Sequence, residues 1–292
     1  MTADRARLFP GTTFVSTVLD AADTKAEMTR SITRVYLMRA AMAGMLIGVF
    51  YLANYAIITA FVAVDPDLRT VGRLAGAIVF GFALAFIYYT RSELLTSNMM
   101  ITTIAVYHRR MRVRRAGWIL GLCLFGNALG GLVVALLVAG STLLDGAPGA
   151  LVTEAVATKL AYVSGGFDGY VDLAVRAVLC NFLINLAMLL VYNGLVDSEG
   201  VKVVAMNVAV MLFAFLGFEH SVANSVLFLV EGLHAGIDVG AALANVAVVL
   251  LGNFVGGGLL IGWYYAYAND PARSRRAQLR ASASGLGDDD VV

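Results

Sequence analysis

Residues 217 to 224 read GFEHSVAN and set Glu219 beside His220 inside an otherwise apolar stretch. An ionisable side chain at membrane depth costs roughly 2.5 to 3.5 kcal/mol on insertion scales, so an adjacent pair there points to function. The stretch has an echo. Residues 92 to 98 read SELLTSN, and Glu93 to Asn98 repeats the spacing of Glu219 to Asn224 at 126 positions earlier. At the same offset FGNALGGL, 125 to 132, is matched by LGNFVGGG, 251 to 258. Two motifs in one register indicate an internal duplication, with His220 as the residue that breaks its symmetry.

The rest of the chain places this stretch in a bilayer. Of 292 residues, 60% are hydrophobic and 14% charged, with mean hydropathy +0.80, a balance that no soluble core needs. This composition predicts an integral membrane protein. The net charge of +1 gives no signal for a nucleic-acid partner. Cys123 and Cys180 fall in apolar spans without metal-ligand spacing and read as packing residues. No secretory apolar run opens the chain, so the first span is expected to act as its own insertion signal.

Residues 1 to 34 form a polar, cytoplasmic segment with a weak helical stripe, Phe14, Val15, Val18, Leu19 and Ala22, that suits either an interfacial helix or a solvated lead-in. A transmembrane domain is expected over 35 to 268, in repeats 35 to 140 and 171 to 268. Its spans are read at about Arg39 to Ala63, Thr70 to Tyr107, Ala116 to Ala139, Val171 to Tyr192, Val201 to Leu229 and Gly240 to Ala268. The second is too long for one crossing and is interrupted around Arg91 to Thr96; the fifth is interrupted at Gly217 to His220. Between the repeats, 140 to 170 reads as partly helical and re-entrant, and Arg176 as a side chain snorkelling from the fourth span's outer end. Residues 269 to 292 lack periodicity and read as a disordered cytoplasmic tail.

Arg109, Arg110, Arg112, Arg114 and Arg115 mark a cytoplasmic loop by the positive-inside rule, which puts both termini on that side. Each repeat has an odd number of spans, so the second enters the membrane upside down relative to the first. The expected fold is therefore an all-α membrane protein of six transmembrane helices in an inverted 3+3 repeat. Its second and fifth helices are broken and meet near the midplane. Unpaired backbone at that depth is tolerated only where it is buried in protein or lines a cavity, which argues for a pore.

Half-helices starting near Thr96 and Ser221 would aim their N–H groups into that cavity and favour anions. The Thr96 hydroxyl is positioned either to donate to a passing anion or to satisfy its own broken backbone. His220 is the histidine inside a span; His108 and His234 sit near span ends. One histidine without nearby cysteine completes no metal site, and no nucleophile and base pair suggests an enzyme. Proton or hydrogen-bond exchange with a small solute remains. A carboxylic acid of pKa near 4 is only about one part in a thousand neutral at pH 7. Histidine would protonate it uphill by roughly 3.4 kcal/mol in water, a gap that a dry constriction narrows. Glu93 and Glu219 read as scaffold carboxylates accepting from the broken backbone, with proton relay as the other possibility. Asn127 and Asn253 would cap or line the pore, and the GNxxGG glycines would allow close helix packing.

GFEHSVAN, ELLTSN, RAVLCNFL (176 to 183) and LGNFVGG (251 to 257) together resemble the formate/nitrite transporter family from about residue 14 to 268. The resemblance implies an aquaporin-like protomer, assembled as a homopentamer in the bacterial inner membrane, with one pore in each protomer. Small monovalent anions such as formate, nitrite or hydrosulfide would be its substrates, with no cofactor. It makes His220 the central pore residue and Thr96 the loop residue facing it. Phe80, Leu84, Leu94, Leu95 and Phe213 become the flanking constrictions, and Lys159 the candidate vestibule lysine, although it is far from the fourth span in sequence. Asn181 and Asn253 join the pore set, with Asn98 and Asn224 supporting the broken helices. A longer-monocarboxylate pore and a non-conducting membrane scaffold or sensor are the alternatives.

Overall fold

A computed structural model of the chain describes residues 9–272; the far end of the proposed disordered tail lies outside the described residues. The described chain is helical: α1 (Thr12–Ser31), α2 (Thr33–Val64), α3 (Arg69–Tyr89), α4 (Leu95–Tyr107), α5 (Val113–Ala139), α6 (Ala147–Ser164), α7 (Gly166–Tyr192), α8 (Glu199–Leu216), α9 (Ser221–His234) and α10 (Val239–Ala268). Among the described residues six helices are long and apolar enough to cross a membrane: α2, α3 with its leading turn, α5, α7, α8 and α10. Helix α3 packs along α2 and α8, while α4 packs on α10 and α9 on α5, so each short helix leans on the long helix of the other half.

Close approach of these helices depends on glycine at matched places. A Cβ on Gly130 would overlap the carbonyl oxygen of Ala41 on α2, and one on Gly256 that of Val178 on α7. From Phe254 to Trp263, α10 widens into a π-helix, a feature that the apolar periodicity did not signal.

The helix α1 differs from the sequence reading. Its stripe is not left for a bilayer surface: Phe14, Val15, Val18 and Ala22 are buried, with Leu19 partly so, against α2, α4, α5 and α7. Apolar area removed from water contributes about 25 cal/mol per Å², so burial of these side chains favours holding the helix on the bundle.

Helices α3 and α8 end alike. The Ser92 N–H donates to Ile87 O at 3.0 Å and the Phe218 N–H to Phe213 O at 2.9 Å, each closing a 6→1 ring around a left-handed residue. That residue is Gly217, φ 69°, in one break and Arg91, φ 56°, in the other, again 126 positions apart. Left-handed backbone costs a residue with a Cβ about 1 to 2 kcal/mol. Gly217→Ala is accordingly expected to lower stability by about 1 kcal/mol, since Arg91 shows that a side chain fits this turn. Denaturant unfolding of the purified protein in detergent checks it.

Candidate functional site

After each turn the chain leaves the helix for three residues, 92–94 and 218–220, and restarts as a helix. Leu94 (φ −104°, ψ 127°) precedes α4 and His220 (φ −116°, ψ 119°) precedes α9. One asparagine holds each restart. The Asn127 Oδ1 accepts from Leu95 N at 3.1 Å, and its Nδ2 donates to Glu93 O and Ala40 O, both at 2.8 Å. Asn253 repeats the pattern, accepting from Ser221 N at 2.9 Å and donating to Glu219 O at 3.0 Å and Ala177 O at 2.8 Å. Buried backbone groups must be paired somewhere, and a primary amide with its acceptor and two donors does it three times over.

These contacts bear on three readings. Asn253 caps rather than lines a cavity. Asn181 is likewise buried, its Nδ2 donating to Thr96 O at 3.2 Å and Asn253 O at 2.7 Å, which pins α4 and α10 to α7. The first N–H of α4, Leu95, and of α9, Ser221, is also not free to meet a substrate, because Asn127 and Asn253 take one each.

The two glutamates point their carboxylates at side chains, not at broken backbone. Glu219 Oε2 accepts from Lys159 Nζ at 2.8 Å and Asn224 Nδ2 at 2.6 Å. Glu93 Oε2 accepts from Lys25 Nζ and from Asn98 Nδ2 at 3.0 Å. Lys159 thus reaches the break despite its distance in sequence, and Lys25 forms the matching pair on the other side. Lys25 escaped the sequence reading, although its spacing from Val18 and Ala22 put it on the buried stripe of α1.

His220 is buried and held at both ring nitrogens. Its Nδ1 accepts from Ala223 N at 3.1 Å, and its Nε2 pairs with Thr96 Oγ1 at 3.0 Å. Thr96 therefore binds the histidine, not its own broken backbone. An acceptor at Nδ1 assigns the single proton of the neutral imidazole to Nε2, which donates to Thr96. The Thr96 hydroxyl hydrogen is left as the unused donor at the ring's edge. A second proton at Nδ1 would face the Ala223 N–H, so the arrangement is built for a neutral ring. Phe213 stacks near this ring, centroids 5.8 Å apart at 12°. His108, by contrast, lies beyond the end of α4, where burial lowers its pKa.

Three cavities lie in sequence along this axis. The central one is about 20 Å³ and is lined by apolar side chains, Phe80, Leu84, Leu94 and Phe213 among them, with His220 as the polar group. Leu95 is buried but does not line it. Phe80 and Phe213 also line a cavity of about 350 Å³ that holds Lys159, Arg69, Arg73, Arg176 and Tyr162. Leu84, Ile87 and Leu94 also line one of about 300 Å³ that holds Lys25, Arg39 and Arg91. The larger vestibule sets four cations against Glu154 and Glu219, and the other sets three against Glu93. Arg176, read as a snorkelling end residue, instead turns into the vestibule and donates from Nη1 to Gly217 O at 3.1 Å. Among the described residues no group of three or more His, Cys, Asp or Glu is placed to hold a metal.

The family described as "Formate/nitrite transporter" matches residues 12–267. The chain is 30% identical to the nitrite transporter NirC of Escherichia coli over 237 residues, covering 80% of this chain and 82% of NirC. A solved "FNT family ion channel" superposes with TM-score 0.77 at 24% identity, covering 89% of this chain and all of that one. A "pentameric formate channel with formate bound" superposes with TM-score 0.65 at 21% identity, covering 80% and 96%.

Proposed function

Because the chain belongs to the formate/nitrite transporter family, we propose that it is a membrane channel for small monovalent weak-acid anions, with formate and nitrite as its first substrates. The observation that carries this is the small apolar chamber at His220, set between two cationic vestibules. An excess of positive charge concentrates anions at each mouth. The chamber then rejects them as charged species, because desolvating a carboxylate in an apolar site is far costlier than desolvating the neutral acid. Desolvation raises the acid's pKa, and the neutral acid needs only one hydrogen bond at the narrowest point. His220 and Thr96 supply it. The proton comes from water at the vestibule side, since a neutral imidazole has none to give without becoming an imidazolate.

A chamber of about 20 Å³ holds about one water-sized body, which favours formate or nitrite over lactate and longer monocarboxylates. Hydrosulfide is small enough to share the path. We further propose that Arg109 to Arg115 lie on the cytoplasmic side with both termini, and that the two halves are related as an inverted repeat. A homopentamer in a bacterial inner membrane fits the shared fold and the apolar groove between α2 and α5 lined by Val49, Leu52, Val134 and Leu137.

Stopped-flow uptake into proteoliposomes tests the reading. Formate and nitrite are expected to enter at least about tenfold faster than lactate, with uptake rising as pH falls because the neutral fraction grows tenfold per unit. Liposomes no more permeable than protein-free controls to formate, nitrite and hydrosulfide at every pH would leave the scaffold alternative.

A further inference from the structure

We propose that the Lys159 vestibule contains a distinct binding site for planar two-oxygen anions, formed around Arg73. The carboxylates near this vestibule are each taken. Glu154 pairs with Arg69 at 2.5 Å, Glu219 with Lys159 at 2.8 Å, and Asp172 with Arg176 at 2.8 Å. Arg73 has no carboxylate among the described residues. Its Nη2 donates to Phe215 O at 2.8 Å, and its guanidinium lies 5.7 Å from the centre of the Phe215 ring.

Arg73 and Arg176 therefore divide the work at the end of α8. They bind the carbonyls of Phe215 and Gly217, where the helix C-terminus presents partial negative charge that would repel an anion. A guanidinium has five N–H donors in a rigid fork. Arg73 spends one on Phe215 O and has the others left beside the cavity it lines, with the Phe215 ring against the guanidinium. Such a fork matches two oxygens of a carboxylate or nitrite at once, which hydrosulfide or a halide cannot offer. The site thus discriminates by shape before the chamber does. Phe80 and Phe213 line both the vestibule and the central chamber, so an anion released from Arg73 is in the cavity that borders the chamber at His220.

The site deepens the channel reading and is tested separately from it. Binding of ¹³C-formate to the purified full-length protein in detergent is followed by line broadening at low ionic strength. Arg73→Gln is expected to raise the dissociation constant about tenfold, since a charge-assisted bidentate contact is removed. Arg73→Lys keeps charge without the fork and should recover only part of that loss for formate, while leaving half-saturation for hydrosulfide uptake at the wild-type value. Arg69→Gln removes the same charge from a neighbour already paired with Glu154, and should change formate binding less than about twofold. In proteoliposomes Arg73→Gln should raise the half-saturating formate concentration with the maximal rate unchanged. Equal formate binding by wild type and Arg73→Gln overturns the site, as does an equal loss in Arg69→Gln and Arg73→Gln. Arg73-dependent binding in a protein that carries no anion would retain the site and remove the channel.

Discussion

Glu219→Gln is expected to cost about 3 to 5 kcal/mol of stability, more than any neutral substitution on the vestibule surface. The carboxylate is the charged partner of the Lys159 ammonium, 2.8 Å away, and both side chains are buried. Glutamine keeps the volume and can still accept from Asn224, but it leaves a buried cation opposite a neutral amide. The double variant Lys159→Met with Glu219→Gln removes both charges. Replacing a buried pair by groups of similar volume is often neutral, so most of the loss should return. The net charge of the vestibule is the same in the double variant as in wild type. A shortfall in anion uptake by the refolded double variant would then measure what Lys159 itself does for the substrate. Urea or guanidinium unfolding in detergent gives the stability arm, and a single-variant loss under about 1 kcal/mol would show that the pair is not what holds the break. Glu93→Gln should act in the same direction and also loosen α1, seen as faster proteolysis within Thr12–Ser31, because Lys25 is one of the charged tethers of that helix, beside the Asp23–Arg110 pair and the bonds from Arg115 to Ala26 and Thr29.

The breaks were legible because they violate the apolar pattern around them. Glu93 and Glu219 cannot sit in a plain crossing, and the shared offset of 126 gave the pairing before any coordinates. The span ends followed from length, and His220 from being a histidine at mid-span. What stayed hidden was partnership across the fold. Lys25 is 68 residues from Glu93 and Arg73 is 142 from Phe215, and nothing local marks either contact. The asparagines were read by residue type, which suits a pore wall as well as a cap. Only their position behind the extended residues settles which backbone groups they take. Arg91 was read as part of the interruption but not as its left-handed residue, because such a turn is announced by glycine and here an arginine occupies it.

His220→Asn against His220→Phe separates hydrogen bonding from proton transfer at the centre. The asparagine Oδ1 can accept from Ala223 N, as the imidazole Nδ1 does at 3.1 Å, and its Nδ2 can donate toward Thr96 Oγ1. It therefore replaces both contacts without bringing a group that titrates. Phenylalanine replaces neither, leaves the Ala223 N–H and the Thr96 hydroxyl without their partner, and makes the chamber wall entirely apolar. Losing the imidazole contact in a water-excluded constriction costs the passing acid about 2 to 3 kcal/mol. Formate uptake by His220→Phe should consequently fall about thirtyfold to 160-fold, whereas His220→Asn should stay within about fivefold of wild type. The pH profile of the asparagine variant should keep the wild-type slope, because on this reading the proton enters with the substrate from water. Should His220→Asn instead lose uptake as completely as His220→Phe, while a thermal scan shows it folded, the ring must carry the proton itself. The Thr96–His220 contact would then be its resting position and not its working one.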